Sequence, residues 1–232
     1  RRTFLGRPGE GLRLADRAEE TFEEYGLEAH AARARGARGL ALSYLGREEE
    51  AVAEFRGARG EFERLELWNA WASALNGTGS CLMRLGRVEE ARREYARALR
   101  RVSRTERPAV HAFVRANLAK TLLAAGRAED AARGFSSAAS LFLEQASVVD
   151  ALTAMLGEVE ARARGGQAAA ASRAFGRLRA TLKREGAADS RLLSSLEAVL
   201  EGDSIDLSLL ATLREQAEAS LRDGTIPIRA LI

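Results

Sequence analysis

This sequence is poor in cysteine, in long apolar runs and in aromatic residues, which are typical of secreted, membrane-spanning and strand-rich proteins. Its 232 residues include one cysteine, 3 prolines and 6% aromatic residues. A single thiol excludes a disulfide within the chain and fits a reducing compartment, so we expect a cytoplasmic protein. No apolar run reaches the roughly 18 residues that a membrane helix needs, and the first residues contain no apolar signal core. The initiator methionine is also missing, so we expect a piece of a longer protein.

Neither sign of charge is in large excess, because 36 basic residues face 33 acidic ones and the net charge is +3. This balance does not call for nucleic acid as a partner, and no aromatic residues alternate with basic ones to stack on bases. The charge is unevenly distributed along the chain, since residues 162–184 contain seven basic residues and no acid. They either meet an acidic partner or a phosphate backbone, or form a solvated helix face. The abundant Ala, Leu, Arg and Glu favour helices and predict an all-α fold.

A short pattern recurs every 40 residues. Four residues separate a small residue from an aromatic ring, which is about one helical turn, so both lie on one helix face. Self-similarity at this period indicates an array of helical hairpins. The glycines that open the pattern are Gly6, Gly46, Gly86, Gly126 and Gly166, and the pairs that follow the last four are Ala51 and Phe55, Ala91 and Tyr95, Ala131 and Phe135, and Ala171 and Phe175.

The glycines also predict where helices end. Only glycine adopts the left-handed conformation of a helix end without penalty, and acids soon after it favour the start of the next helix. The first helix of each hairpin, helix A, is predicted over about 28–45, 68–85, 108–125 and 147–164. The second, helix B, is predicted over about 8–25, 48–65, 88–103, 128–145 and 168–185. A final pair near 189–201 and 206–222 keeps the spacing but loses the ring.

This pattern resembles the tetratricopeptide repeat, in which helix A has a small residue where the two helices cross and helix B has Ala, an aromatic ring and a second small residue. Gly39, Gly79 and Ala119 occupy the small site of helix A. The unit of 40 residues is longer than the usual ~34 and is similar to extended repeats of bacterial signalling and regulatory proteins and of kinesin light chains, between which the length does not choose. The resemblance implies a right-handed α-solenoid of about five to six antiparallel hairpins.

The same resemblance predicts one solenoid domain over residues 1–232. Residues 1–26 would be helix B of a truncated repeat, whose missing helix A we expect upstream in a longer chain. Complete repeats would span about 27–66, 67–106, 107–146 and 147–186. Residues 187–232 would form a degenerate capping repeat with a more polar face.

The sequence does not predict an enzyme, a metal site or a cofactor. His30 and His111 have no Cys or carboxylate at ligand spacing, so we interpret them as solvated surface histidines. Cys81 is interpreted as a small buried thiol, since no histidine is placed to activate it. No glycine-rich phosphate loop is present. Trp68 and Trp71 share one helix start, where core packing is favoured over an exposed anchor.

Resemblance to the family implies that a peptide, a partner helix or a partner protein binds a concave groove lined by the A helices. The matching positions are Arg33, Leu40, Asn76, Ser80, Met83, Phe113, Asn117, Lys120 and Glu160. Asn76 and Asn117 could bond a peptide backbone, and Lys120 could meet a carboxylate. The Lys/Asn/Arg clamp of chaperone-tail binders is not reproduced, so a chaperone tail is not the expected ligand.

Two functions stay open from the sequence. The first is a scaffold that binds a partner protein, a peptide or another part of its own chain. The second is the sensor or regulatory arm of a larger bacterial effector or transcription regulator, whose active domain lies outside these residues.

Overall fold

The computed structural model describes residues 8–184, residue 198, residues 206–212 and residues 215–216. Within residues 8–184 the chain forms nine helices, numbered α1 to α9. Their bounds are Pro8–Glu24, Glu28–Tyr44, Glu48–Arg64, Trp68–Arg84, Val88–Arg101, Pro108–Ala124, Ala128–Glu144, Val148–Arg164 and Ala168–Arg184. The all-α prediction is confirmed, and each helix starts and ends within two residues of its predicted position. In the described part of the chain, no helix has the length and apolar character needed to cross a bilayer.

The predicted final helix pair and the capping repeat 187–232 fall mostly outside the described residues, as does Gly6. Residues 207–212 are helical. The Asp206 carboxylate accepts hydrogen bonds from the N–H groups of Ser208 at 2.9 Å and Leu209 at 3.0 Å. This is the arrangement of an N-cap, so a helix begins where the second member of that pair was predicted.

The chain forms two compact units, with the boundary between Val102 and Ser103. In the first unit α1 to α5 pack each against the next along the chain, and α2 also contacts α4. In the second unit α6 to α9 pack in the same consecutive way, and α6 also contacts α8. Each unit is therefore built from helical hairpins in which neighbouring A helices touch. That one solenoid domain spans residues 1–232 stays a prediction.

The turns between helices share one geometry and recur every 20 residues, not only every 40. The residue two positions past the helix has a φ between 55° and 75°, and the next N–H bonds to the carbonyl five residues earlier, as from Arg47 to Leu42 at 3.0 Å. This is the Schellman pattern, which ends a helix and satisfies its last carbonyls. Within residues 8–184 the link at residues 102–107 does not have this geometry. The positive-φ residues of the other seven turns are Gly26, Gly46, Glu66, Gly86, Gly126, Ala146 and Gly166.

In the first unit, aromatic rings of helix B fill the space left by glycines of helix A. A methyl group added to Gly39 would lie 3.2 Å from the Phe55 ring, and one added to Gly77 would lie 2.7 Å from the same ring. Tyr95 packs against Gly79 still more closely. One ring therefore contacts helix A of its own hairpin, α2, and helix A of the next hairpin, α4. The predicted small site at Gly39 and Gly79 is where the helices cross.

The second unit repeats this contact with a different ring. Phe135 is buried, and a methyl group added to Gly157 would lie 2.7 Å from it. Ala119 is buried in the same cluster as Phe135. In the next hairpin Val159 takes the small site and packs in a larger cluster with Phe175. Val159 is thus buried at a position where the other hairpins have Gly or Ala.

Ion pairs add a second connection between hairpins of the first unit. The Arg56 guanidinium on α3 donates to Glu90 and Glu94 on α5, both at 2.8 Å, and Arg59 donates to Glu94 at 3.0 Å. Burial disfavours the charged form of Glu94, but Arg59 and Arg56 outweigh this and lower the pKa of its carboxyl. Partly exposed pairs contribute at most about 1 kcal/mol each, so the ring contacts dominate the stability of the hairpin stack.

A glycine-to-alanine pair tests the ring contact. Gly157→Ala should lower the free energy of unfolding by about 1–3 kcal/mol, because the new methyl group overlaps the buried Phe135 ring. Gly176→Ala on α9 is the matched control, since nothing lies within 4 Å of the added methyl group. It should raise stability by about 0.5–1 kcal/mol through helix propensity. Urea unfolding curves that rank the two variants in the opposite order would contradict this account.

A second pair tests the turn geometry. Ala146 adopts a φ of 55°, which costs a residue with a Cβ about 1–2 kcal/mol, so Ala146→Gly should stabilise the chain by about 0.5–1 kcal/mol. Gly126→Ala, at the equivalent turn with a φ of 75°, should destabilise by a similar amount. Thermal unfolding monitored by circular dichroism measures both. Equal melting temperatures for the two variants would show that the left-handed turns are not required.

Candidate partner-binding cleft

An open cleft of about 440 Å³ lies between α2 and α4 in the first unit, with α3 beneath it. Phe55 and Phe62 of α3 line its floor and are 7% and 4% exposed. The remaining lining residues are Arg33, Gly36, Ala37 and Leu40 on α2, and Ala70, Ser73, Ala74, Asn76 and Gly77 on α4. Its volume is within the range of roughly 300–1,000 Å³ that is typical of ligand sites.

Helical spacing brings the α2 residues of the cleft to one face. Arg33, Ala37 and Leu40 follow each other at intervals of three or four residues, which is one turn. Leu40 is 47% exposed, and Tyr44, one turn further along the same face, is 55% exposed. A single exposed leucine is ordinary, but an exposed apolar row beside an open cleft is typical of an interaction surface.

The cleft has one charged side chain, and its few polar side chains differ in whether they already have a hydrogen-bond partner. Arg33 is its single charged lining residue, and it forms no hydrogen bond or ion pair with any residue that the structure describes. The Asn76 side chain likewise has no partner among residues 8–184. The Ser73 hydroxyl instead donates to the carbonyl of Asn69 at 3.1 Å. Two polar side chains therefore remain to orient a bound molecule.

Three of the nine groove residues predicted from the sequence, Arg33, Leu40 and Asn76, line this cleft. Ser80 and Met83 lie one and two turns beyond Asn76 on α4, and both are half-buried. The cleft is also lined by Gly36, Ala37, Phe62 and the small residues of α4, which were not predicted from the sequence. For Gly36, Ala37 and Ser73 a usable signal was their spacing of three or four residues from Arg33, Leu40 or Asn76, because residues three or four apart share a helix face.

The other four predicted residues lie in the second unit, and two of them are buried. Asn117 is 7% exposed, and its Nδ2 donates to the carbonyl of Phe113 at 3.1 Å. Glu160 is 4% exposed and pairs with the Arg164 guanidinium at 2.7 Å. Phe113 packs against the buried cluster of α7 and α8, and Lys120 is half-buried. We therefore place no partner contact on Asn117 or Glu160.

One histidine differs from its prediction. His30 is exposed, as expected, and its ring lies 5.2 Å from that of Phe22. His111, predicted as a solvated surface residue, is only 7% exposed, and its Nε2 lies 3.3 Å from the Arg115 guanidinium. The prediction was wrong because α6 carries buried residues around most of its circumference, including its first turn. No group of three or more metal-ligating side chains occurs among the described residues.

The remaining residues singled out from the sequence have structural roles. Trp68 and Trp71 meet edge to face at 5.8 Å, and Trp71 is 3% exposed, which confirms core packing for that residue.

In the basic stretch 162–184, Arg162 and Arg177 donate to the buried Glu158 at 2.8 and 2.9 Å. Together with Arg164, at least three of its seven basic residues thus have a carboxylate partner within the chain.

Comparison with known proteins adds no further assignment. No protein-family model matches the chain, and the search of curated proteins found no match. The geometry of the cleft is therefore the basis for a functional conclusion.

The Cys81 thiol is predicted to be unreactive in the folded protein. Cys81 is 1% exposed, and burial raises the pKa of its thiol to about 11, with the nearby Glu48 carboxylate adding to the shift. Because only the thiolate reacts, alkylation at pH 8 should be roughly a thousandfold slower than for a fully ionised thiol. Labelling with iodoacetamide, followed by mass spectrometry, should become stoichiometric only after unfolding in guanidinium. Rapid labelling of the native chain would contradict the buried position.

Proposed function

We propose that this chain is a cytoplasmic protein-interaction module that binds a partner protein or peptide in the cleft between α2 and α4. The observation that carries the proposal is the exposed apolar row of α2, Leu40 and Tyr44, in which Leu40 lines an open cleft whose other wall is a second A helix. Leu40 and the floor ring of Phe62 offer apolar contact, and Arg33 and Asn76 offer polar groups without partners among the described residues. A few oriented polar groups in an apolar cleft are typical of binding sites.

We further propose that the hairpins are of the tetratricopeptide type and follow its right-handed arrangement. The ring–glycine contacts support this, because Phe55 with Gly39 and Tyr95 with Gly79 occupy the small and aromatic sites of that repeat. The contact of α2 with α4 adds support, since neighbouring A helices then line one shared surface. In such an array the cleft lies on the surface that binds partners.

A display library of random peptides of about 16 residues, selected on the complete chain, tests the proposal. Peptides selected by the wild-type chain should bind Leu40→Asp about ten- to hundredfold more weakly, because binding would bury the new carboxylate in an apolar contact. Isothermal titration calorimetry measures the Kd of each peptide.

The matched control is Leu14→Asp on α1. Leu14 is 48% exposed and lies in a helix interior outside the cleft, so both variants carry the same helix-propensity cost. The control should keep wild-type affinity, and both variants should keep nearly the wild-type melting temperature. Peptides that bind Leu40→Asp as tightly as wild type would show that the cleft is not the binding surface.

A further inference from the structure

We propose that the occupant of the cleft is an amphipathic α-helix with a carboxylate beside its apolar face, and not an extended peptide. This inference rests on the proposed function, because it names the partner of the same cleft. Three observations carry it: the scarcity of hydrogen-bonding groups in the walls, the small residues along both helices, and the single positive charge.

Hydrogen bonding favours a helical occupant. The cleft walls are the helices α2 and α4, whose backbone N–H and C=O groups are already bonded within each helix. They therefore cannot pair with an added strand. With the Ser73 proton engaged, the side-chain donors that remain are Arg33 and Asn76, and the acceptors are the Asn76 amide oxygen and the Ser73 oxygen. These are few for the many backbone groups that an extended peptide would bring. A helix satisfies its own backbone, so the apolar walls cost it little.

Shape favours the same occupant. Both walls of the cleft contain small residues, whose side chains project little from the helices. These are Gly36 and Ala37 on α2 and Ala70 and Gly77 on α4. Helices approach to about 8–10 Å between axes where the contacting side chains are small. Large apolar residues of an incoming helix, spaced three or four apart, could then reach Leu40 and the rings on the floor.

The positive charge of Arg33 predicts a carboxylate beside the apolar face of the bound helix. Arg33 is exposed and is the single charged residue that lines the cleft, and it has no ion-pair partner in the part of the chain that the structure describes. A Glu or Asp beside the apolar face of the incoming helix would complement it with a charge-assisted hydrogen bond. Because Arg33 is open to solvent, salt should weaken this contact.

The helical part of the inference is tested with the selected peptides whose binding depends on Leu40. Each is synthesised again with its central residue replaced by Pro and, as the control, by Ala. Pro should weaken binding by about a hundredfold, because it breaks the helix, whereas Ala should change it little. Circular dichroism should show a gain of helix when peptide and chain are mixed. Peptides that tolerate Pro and gain no helix would overturn this part and leave the proposed function standing.

The charge is tested on the protein side. Arg33→Glu should weaken the same peptides by about fivefold to tenfold, since attraction is replaced by repulsion, and Arg33→Gln should remove most of the salt dependence of the Kd. Arg93→Glu is the matched control, because Arg93 is exposed on α5 and has no ion-pair partner among the described residues. Equal binding by both Arg33 variants and wild type would overturn the charge assignment. If no peptide depends on Leu40, the proposed function itself fails.

Discussion

The packing of an aromatic ring against a residue without a side chain is the constraint on which the hairpin stack depends. Phe55 lies against Gly39 of its own hairpin and Gly77 of the next, so one ring fixes two helix crossings at once. A methyl group on Gly77 would displace the buried ring, and one on Gly39 would require the ring to move by a few tenths of an ångström. Since protein interiors are packed as densely as organic crystals, such contacts leave little freedom in how neighbouring helices lie.

The same constraint produces the cleft. Because Gly77 lets the Phe55 ring lie close to the backbone of α4, the rings of α3 stay beneath the cleft, and small residues dominate the walls above them. The result is an apolar trough with few hydrogen-bonding groups. The residues that hold the hairpins together thus also decide which chemistry the open surface can recognise, and that chemistry is apolar with one positive charge at the edge.

The helix bounds could be predicted from the local sequence, but the backbone conformation and burial of some residues could not. Glycines at the turns, acids in the first helical turns and rings in fixed register gave helix bounds correct to within two residues. The turns near Glu66 and Ala146 were predicted, but the positive φ of these two residues was not, because neither is a glycine. His111 was placed on the surface because burial depends on the helices that pack around α6, which local sequence does not reveal.

Leu40, Ser80, Lys120 and Glu160 occupy one position in four successive A helices, at intervals of 40 residues. The sequence by itself determined that equivalence, because helix geometry follows from hydrogen bonds between residues four apart and from the turn residues next to them. Only the tertiary structure decided that Leu40 is 47% exposed beside an open cleft, whereas Glu160 is 4% exposed and paired with Arg164. The physical reason is that exposure depends on every neighbour in space, including neighbours distant along the chain, and these differ from one hairpin to the next.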